Sequence, residues 1–328
     1  MMHEIKRGVI LILVFIFALS SSACGIDLPK AKVTLKVVDE TGKPINGVRV
    51  AIGFNSINKI KGGSKDIIIK GTTDKDGLFS AAAVTTGHIG YEVKIDGWYI
   101  SEGEYRYQSD KYESGKWQPW NPEIKVVMRK IEKPVPMYAR DLHNISPGIM
   151  IPVSNKDVGF DLIEFDWVSP YGKGKQADLL FYLKSNYKNK DDFDATLTIT
   201  FPNKFDGIQV IKDTRKGGSM FKLPRYAPEG GYQKSLARKI SSHDLGAPQS
   251  DFSNDNNYIF RVRSEEKDGT LLRAMYGKIQ GDIEFHPRRQ GALLFFKYFL
   301  NPDYSQNLEY GDNLFKNLKS TEQVRPEN

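Results

Sequence analysis

The chain has 328 residues, of which 40% are hydrophobic and 27% are charged, and its formal net charge is +7 at pH 7. This much apolar surface can offset the entropy of ordering the chain, which excludes a mainly disordered protein. Only one apolar run is long, which excludes a membrane protein with several spans. A single cysteine excludes a fold held by intramolecular disulfides. The length is sufficient for about two domains.

Residues 1–23 predict an export signal. Lys6 and Arg7 form a basic segment, and a run of eleven apolar residues, 9–19, follows them. As a helix this run would span only ~16 Å, about half of a bilayer core, so we do not expect a permanent membrane span.

Cys24, the one cysteine of the chain, directly follows this signal. The stretch resembles the lipobox of bacterial lipoproteins, in which Leu, a small residue, and Ala or Gly precede an acylated cysteine. Ser22 and Ala23 fit that pattern, whereas Ser21 stands where Leu is usual. The resemblance implies a lipid attached to Cys24 and, with Gly25 in place of an Asp retention signal, the outer membrane of a Gram-negative cell. The alternative is cleavage by the ordinary signal peptidase, with Ser21 and Ala23 as its small residues.

After the signal, short alternating runs are separated by turn residues. Val33, Leu35 and Val37 alternate with polar residues, which is the period of a half-buried strand. Residues 39–44 and 74–77 have the Asp and Gly content of tight turns. Further runs of this type lie at 48–52, 67–71, 91–95 and 124–128. We therefore expect a series of β-strands in this part of the chain.

Two segments carry a resemblance to a known family. Residues 38–50 (VDETGKPINGVRV) and 71–79 (GTTDKDGLF) resemble the D-x-x-G-x-P-[IL]-x-G-[AV]-x-V and T-[DN]-x-x-G-x-F motifs of the carboxypeptidase regulatory-like domain. The resemblance implies an Ig-like, transthyretin-like β-sandwich over about residues 31–131. It implies little about function, because both motifs specify turns and core positions. Residues 102–122 form a longer connection than a hairpin needs.

The second half of the chain is also predicted to be mainly β. Pro134 and Pro136 predict a linker over residues 132–148, with one helical turn at 140–145. Residues 149–316 form the second predicted domain, and residues 317–328 a polar tail. The run 292–300 is compatible with helix or buried strand, and its aromatic content and closing Asn-Pro favour a strand. This half resembles the C-terminal region of uncharacterised exported bacterial proteins, which implies no activity.

Asp282, Glu284 and His286 are the strongest catalytic candidates. On a strand they share one face, where two carboxylates and an imidazole could bind a metal or carry out acid–base chemistry. We interpret them instead as the solvent face of an amphipathic strand, because the sequence offers no second cluster of ligands.

Three other polar patterns predict no site. Glu164 and Asp166 share a strand face and are interpreted as exposed. Residues 251–257 carry side-chain oxygens at alternate positions, as calcium loops do, but lack the Gly and Glu of an EF-hand. That family is therefore rejected, and a calcium site of another type stays as the alternative to an ordinary polar loop. Residues 172–174 (GKG) lack the last Gly of a nucleotide fingerprint and are interpreted as a loop. We predict no catalytic residue, no bound metal and no cofactor.

The predicted binding surface is an aromatic stretch in a polar loop, with the side chains of Tyr105, Tyr107, Tyr112, Trp117 and Trp120. Rings held in such a loop can stack on sugars or insert into a partner. For Trp117 and Trp120 we favour a structural role, in which both rings cap the end of the sandwich or the domain interface.

These features together predict an all-β protein, an N-terminal sandwich followed by a second mainly β domain. Its predicted function is that of a non-catalytic lipoprotein of the cell envelope that acts as a binding or structural module. We expect it to be exported and anchored at the outer membrane or the cell surface. The expected partners are the membrane and a glycan or an envelope protein. Nucleic acid is not expected, because the basic residues form no concentrated block. The alternative is an envelope enzyme, of a carbohydrate-active type, with its site in the second domain.

Overall fold

The computed structural model describes residues 28–57, 63–108, 111–215, 217–243 and 246–324. Among the described residues, strands account for 57% and helices for 2%, so the predicted all-β fold is confirmed. Within the described ranges no helix is long and apolar enough to cross a membrane. The predicted signal and Cys24 lie outside the described residues.

The strands fall into an N-terminal region, up to residue 131, and a C-terminal region after it. Those of the N-terminal region are β1 (Lys30–Val38), β2 (Arg49–Ile57), β3 (Ser64–Thr72), β4 (Leu78–Val84), β5 (His88–Lys94), β6 (Ser101–Arg106), β7 (Tyr112–Glu113), β8 (Lys116–Trp117) and β9 (Glu123–Val127).

The C-terminal region contains two short 3-10 helices, Leu142–Asn144 and Ser320–Glu322. Its strands are β10 (Val135–Asp141), β11 (Ile149–Ile151), β12 (Asp157–Asp161), β13 (Asp166–Trp167), β14 (Leu179–Asn189), β15 (Asp192–Thr200), β16 (Gly207–Lys212), β17 (Gly217–Ser219), β18 (Ser235–Ser242), β19 (Gln249–Ser250), β20 (Asn256–Lys267), β21 (Thr270–Pro287), β22 (Ala292–Asn301) and β23 (Tyr310–Asn313).

Two sheets form a sandwich in the N-terminal region. One has the order β4-β1-β8-β7, with β9 also paired to β1, and the other has the order β17-β6-β5-β2-β3. Strand β1 runs antiparallel to β4 and parallel to β9. Val33, Leu35 and Val37 are fully buried against Phe54 and Val93 of the facing sheet, as their alternation predicts.

The two motif turns are fixed by their own aspartates. Asp39 Oδ1 accepts hydrogen bonds from the amides of Thr41 and Lys43, at 2.8 and 2.9 Å. Asp74 does the same for its own turn. Gly77, at φ +72°, has to be glycine, because a Cβ there would lie 2.4 Å from the carbonyl oxygen of Val37.

The C-terminal region is a second sandwich. Its larger sheet has the order β16-β20-β21-β22-β10-β23, with β11 also on β22, and its smaller sheet has the order β13-β12-β14-β15-β18-β19. The apolar core lies between them, with Phe181 and Leu197 from the smaller sheet and Phe260, Phe285 and Phe296 from the larger one. The run 292–300 is therefore a strand, as its composition favours.

Two boundary segments differ from their predictions. The predicted linker, 132–148, contains β10, which lies inside the larger sheet between β22 and β23. The predicted tail packs back on the protein, since Val324 is buried and Arg140 is ion-paired with Glu322 at 3.3 Å. Proline spacing and local polarity could not indicate these contacts, because the partners are distant in sequence. The division into two independently folding domains stays a prediction.

Candidate functional site

The shared solvent face predicted for Asp282, Glu284 and His286 does not exist. The register between β21 and β22 shifts between Gln280 and Glu284, and Gly281 adopts a φ of +79°. This bulge changes which side chains point outward. Asp282 is consequently buried, whereas Glu284 is half-buried and His286 is exposed. The interpretation of Asp282 as a solvated residue is wrong.

The buried carboxylate of Asp282 is held by groups from three neighbouring segments. Arg238 and the hydroxyl of Tyr258 donate to Oδ1, and the amide of Ser253 and Nδ2 of Asn256 donate to Oδ2 at 2.7 and 2.8 Å. Burial opposes ionisation, but these hydrogen bonds outweigh it and hold the pKa of Asp282 below its usual range. The group therefore links the two sheets of the C-terminal sandwich and is not available to a substrate.

Glu284 and His286 lie beside a half-exposed phenylalanine. The imidazole of His286 lies 5.2 Å from the ring centroid of Phe295, and that of His143 lies 5.7 Å from it. Although the residue as a whole is exposed, partial desolvation of its ring and the neighbouring Arg288 lower the pKa of His286, so its imidazole is neutral at neutral pH. Among the residues that the structure describes, no three His, Cys, Asp or Glu side chains come together as a metal site.

The other polar patterns are used within the fold. Asp251 Oδ1 accepts from the amide of Lys239 at 2.9 Å, and Asp166 Oδ2 accepts from the amide of Lys173 at 2.8 Å. Glu164 pairs with a lysine on the surface. These contacts organise turns, and they leave residues 251–257 as a connection into β20 with no convergent set of oxygens.

The aromatic stretch divides into core and surface. Tyr107 and Trp117 are buried, and their rings stack with centroids 5.6 Å apart. Trp117 Nε1 donates to the carbonyl of Thr85 at 3.0 Å. Tyr105 is half-buried against the same core. Trp117 therefore caps the end of the sandwich, which is the favoured interpretation of this residue, because its ring packs into the core.

Only two of these aromatic residues present large exposed surfaces. Tyr112 is 57% exposed and Trp120 is 37% exposed. The ammonium of Lys116 lies 5.1 Å from the ring centroid of Trp120. A binding surface on this loop would therefore be small, and its role in binding stays a prediction.

A cleft of about 930 Å³ lies between the two regions. One wall is the outer face of β5 and β6, and the other comes from the segment around β17 and the bulge of β21. The polar side chains that line it are His88, Glu102, Glu104, Asp213, Arg215, Lys222, Asn254, Asp255, Asn257, Gln280 and Lys297. Sequence reasoning missed this site, because its lining comes from segments far apart in the chain.

Each wall of the cleft carries one carboxylate that is held in an ion pair. On the N-terminal wall, Glu104 Oε2 lies 2.8 Å from Nε2 of His88 and 3.1 Å from Nη2 of Arg106. Arg106, and after it His88, lower the pKa of Glu104 to about 2. On the opposite wall Arg215 makes a bidentate pair with Asp213, at 2.8 and 3.0 Å, and lowers the pKa of that carboxyl. Both carboxylates are therefore ionised acceptors at neutral pH and not proton donors.

The cleft exists because β17 joins the N-terminal sheet. Gly217 pairs with Gly103 of β6, and the hydroxyl of Tyr91 lies close to both. A Cβ on Gly103 would lie 2.4 Å from that hydroxyl, and one on Gly217 would lie 2.8 Å from the Cα of Gly103. Glycine at both positions lets a segment of the C-terminal region complete a sheet of the N-terminal region.

A buried ionic cluster also joins the two regions. Glu309 is fully buried, and its carboxylate accepts from the Tyr99 hydroxyl at 2.9 Å and from the amides of Glu132 and Lys133 at 2.8 Å. Nη1 of Arg225 lies 2.7 Å from it. Burial raises the pKa of Glu309, but the hydrogen bonds from the two amides and then the bond from Arg225 together lower it by more. The pKa therefore lies below its usual value, and the carboxylate stays ionised. The cluster joins both regions and the segment between them.

Phe221 adds an apolar contact to this junction. Its buried ring stacks on Tyr99 with centroids 4.9 Å apart, and the guanidinium of Arg129 lies 4.3 Å from the ring centroid. Nη1 of Arg129 also donates to the carbonyls of Phe221 and Leu223, at 2.9 and 2.6 Å. The walls of the cleft are thus held by packed and hydrogen-bonded contacts on both sides.

No protein-family model matches the chain, and no curated protein matches it. Among solved structures, it is similar to 3-chlorocatechol 1,2-dioxygenase from Rhodococcus opacus 1CP over 31% of this chain and 60% of that one, at 14% identity and a TM-score of 0.25. It is also similar to a mutant of the shaft pilin spaA from Lactobacillus rhamnosus GG over 77% of this chain and 94% of that one, at 12% identity and a TM-score of 0.22. The chain spans less than two thirds of the dioxygenase, and at these TM-scores neither likeness carries an argument about function.

Proposed function

We propose that the protein is a non-catalytic binding protein of the cell envelope, which holds a glycan in the cleft between its two regions. The ligand is a polar envelope saccharide, and the protein is held on the membrane by a lipid on Cys24. An envelope protein segment is the alternative ligand.

The paired charges of the cleft carry this proposal. Glu104 and Asp213 each keep a depressed pKa because a cation lies against them, so they present fixed acceptors beside fixed donors. The wall also carries the amides of Asn257 and Gln280. A lining with both positive and negative groups suits an uncharged saccharide, whose many hydroxyls both donate and accept hydrogen bonds. A site for a strongly charged ligand would instead be lined by charges of the opposite sign.

The enzyme alternative has less support from the geometry. General acid catalysis at neutral pH requires a carboxyl with a raised pKa, and Glu104 and Asp213 are both lowered. Asp282, the central residue of the sequence candidate, is engaged by Arg238 and Tyr258 inside the sandwich. Neither set offers a free acid next to a free base.

We further propose that residues 31–131 form a carboxypeptidase regulatory-like, transthyretin-like domain, separate from the domain that follows. The two quoted motifs support this, since Asp39 and Asp74 each fix a turn through backbone amides. The separate apolar cores of the two regions also support it. The resemblance gives the fold of the first domain and not its ligand.

Isothermal titration calorimetry of the full chain with uncharged envelope oligosaccharides tests the ligand. We expect binding that Arg215→Ala weakens about tenfold, which corresponds to about 1.4 kcal/mol. The matched control is Arg49→Ala, because Arg49 forms an exposed ion pair with Asp96 at 2.7 Å outside the cleft. Loss of binding in both variants, or in neither, would contradict the cleft as the site.

Mass spectrometry of the mature N-terminus tests the anchor. We expect an acylated Cys24 and a protein that fractionates with membranes, whereas Cys24→Ser should release it. An unmodified cysteine in a soluble wild-type protein would refute the anchor without bearing on the cleft.

A further inference from the structure

The strand β3 lies at an open edge of the N-terminal sandwich. In the part of the chain that the structure describes, it pairs on one side only, with β2, over all nine of its residues. Such an edge presents backbone amides and carbonyls that a further strand can use. Ile68, at its centre, is 59% exposed and faces outward.

The side of the sandwich next to β3 is also apolar. Ile67 and Ile69 face the core but are only half-buried. The facing sheet ends on the same side with β4, whose residues 78–84 (LFSAAAV) carry no charge. The ring of Phe79 in β4 occupies the space beside Gly71, where a Cβ would lie 2.2 Å from it. Two edge strands therefore bound this side, β4 without charges and β3 with an apolar centre between charged residues.

The sequence of β3 is complementary to itself when it is read antiparallel. If two copies pair around Ile68, then Ile67 of each copy faces Ile69 of the other, and Asp66 faces Lys70. Lys65 then faces Gly71. Apolar and opposite-charge pairs of this type stabilise antiparallel strands.

Other registers lose these pairs. A shift of one residue would set Lys65 against Lys70 and would turn the outward face of one strand inward. A shift of two would set Asp66 against Ile68, and Lys65 against Ile69. One register therefore satisfies both the charges and the alternation of the strand.

We propose that the protein self-associates through β3, which pairs antiparallel with β3 of a second copy around a two-fold axis at Ile68. The paired edges make one continuous sheet across both copies, with a self-complementary contact as a two-fold interface requires. The two-fold axis of such a pair is perpendicular to the sheet. The outer faces of the two copies, which carry the clefts, therefore point to the same side. The dimer is independent of what the cleft binds.

Disulfide trapping of the full chain tests the contact. In an Ile68→Cys variant the two introduced thiols face each other, and mild oxidation should trap a covalent dimer on a non-reducing gel. The matched control is Leu272→Cys, because Leu272 has nearly the same exposure, 58%, on a different strand. The wild-type chain, whose single cysteine is Cys24, is oxidised in parallel and shows how much covalent dimer forms through that residue. Equal trapping of both variants, or trapping of Ile68→Cys onto a different protein, would overturn the proposal.

Charge reversal in the Ile68→Cys background tests the register. Asp66→Lys and Lys70→Asp should each lower the yield of dimer at least about fivefold, because like charges then face each other. The double variant should restore it, and Lys65→Asp, which faces glycine, should leave it unchanged. Circular dichroism checks that each variant is folded. Failure of the double variant to recover while folded would refute the register.

Discussion

The central prediction concerns Asp282, which sequence alone interprets as a surface residue and the structure buries. Asp282→Ala removes the carboxylate that accepts from Arg238, Tyr258, Ser253 and Asn256. Arg238 is only 8% exposed, and the nearest remaining carboxylate, that of Asp251, lies 3.8 Å away. Removing one partner of a buried pair typically costs about 3–5 kcal/mol. Because Asp251 offers partial compensation, we expect a loss near 3 kcal/mol.

Urea unfolding followed by tryptophan fluorescence measures this loss at pH 7. Glu284→Ala is the matched control, since Glu284 lies two residues further along the same strand and is half-buried. We expect its effect to stay within about 0.5 kcal/mol. A double variant that carries both Asp282→Leu and Arg238→Met should recover much of the stability lost in Asp282→Ala, because it leaves neither charge buried. A loss in Asp282→Ala no larger than in Glu284→Ala would refute the reasoning.

The contribution of Asp282 also has a defined dependence on pH. Its pKa in the folded protein is lowered, so the carboxylate stabilises the fold fully above the ordinary Asp pKa of about 3.9. The stabilisation is lost as the pH falls through the lower folded value. We therefore expect the stability difference between wild type and Asp282→Asn to be constant from pH 5 to 7 and to shrink below about pH 4.

Two further predictions use the aromatic hairpin and the junction. Trp117→Ala should lower the free energy of unfolding in urea by about 3–5 kcal/mol, because removal of the buried ring leaves a cavity. Trp120→Ala should lower it by no more than about 1 kcal/mol. Similar losses in the two variants would contradict the division of this stretch into core and surface. Arg225→Ala should leave Glu309 buried without its cation. It should also speed tryptic cleavage after Lys130, whose carbonyl accepts from Arg225 at 2.8 Å, and limited proteolysis with mass spectrometry measures that cleavage. Unchanged cleavage would show that the ionic cluster does not hold this segment.

The sequence by itself determines the features that depend on neighbours in the chain. The alternation of Val33, Leu35 and Val37 predicts β1, because a strand with one buried face needs apolar residues at every second position. The Asp and Gly of residues 39–44 and 74–77 predict turns, because those side chains bond to amides two to four residues away. The strand at 292–300 follows from composition in the same way.

Tertiary structure alone decides the features that depend on distant partners. A bulge at Gly281 turns Asp282 inward toward Arg238, 44 positions away, and alternation cannot indicate a bulge. The cleft needs β17 to enter a sheet formed by residues more than a hundred positions earlier. Glu309 accepts a hydrogen bond from Tyr99, in the segment before β6 and 210 positions away. Such contacts depend on how two sandwiches dock, which is set by the complementarity of whole surfaces and leaves no periodic signal in the sequence.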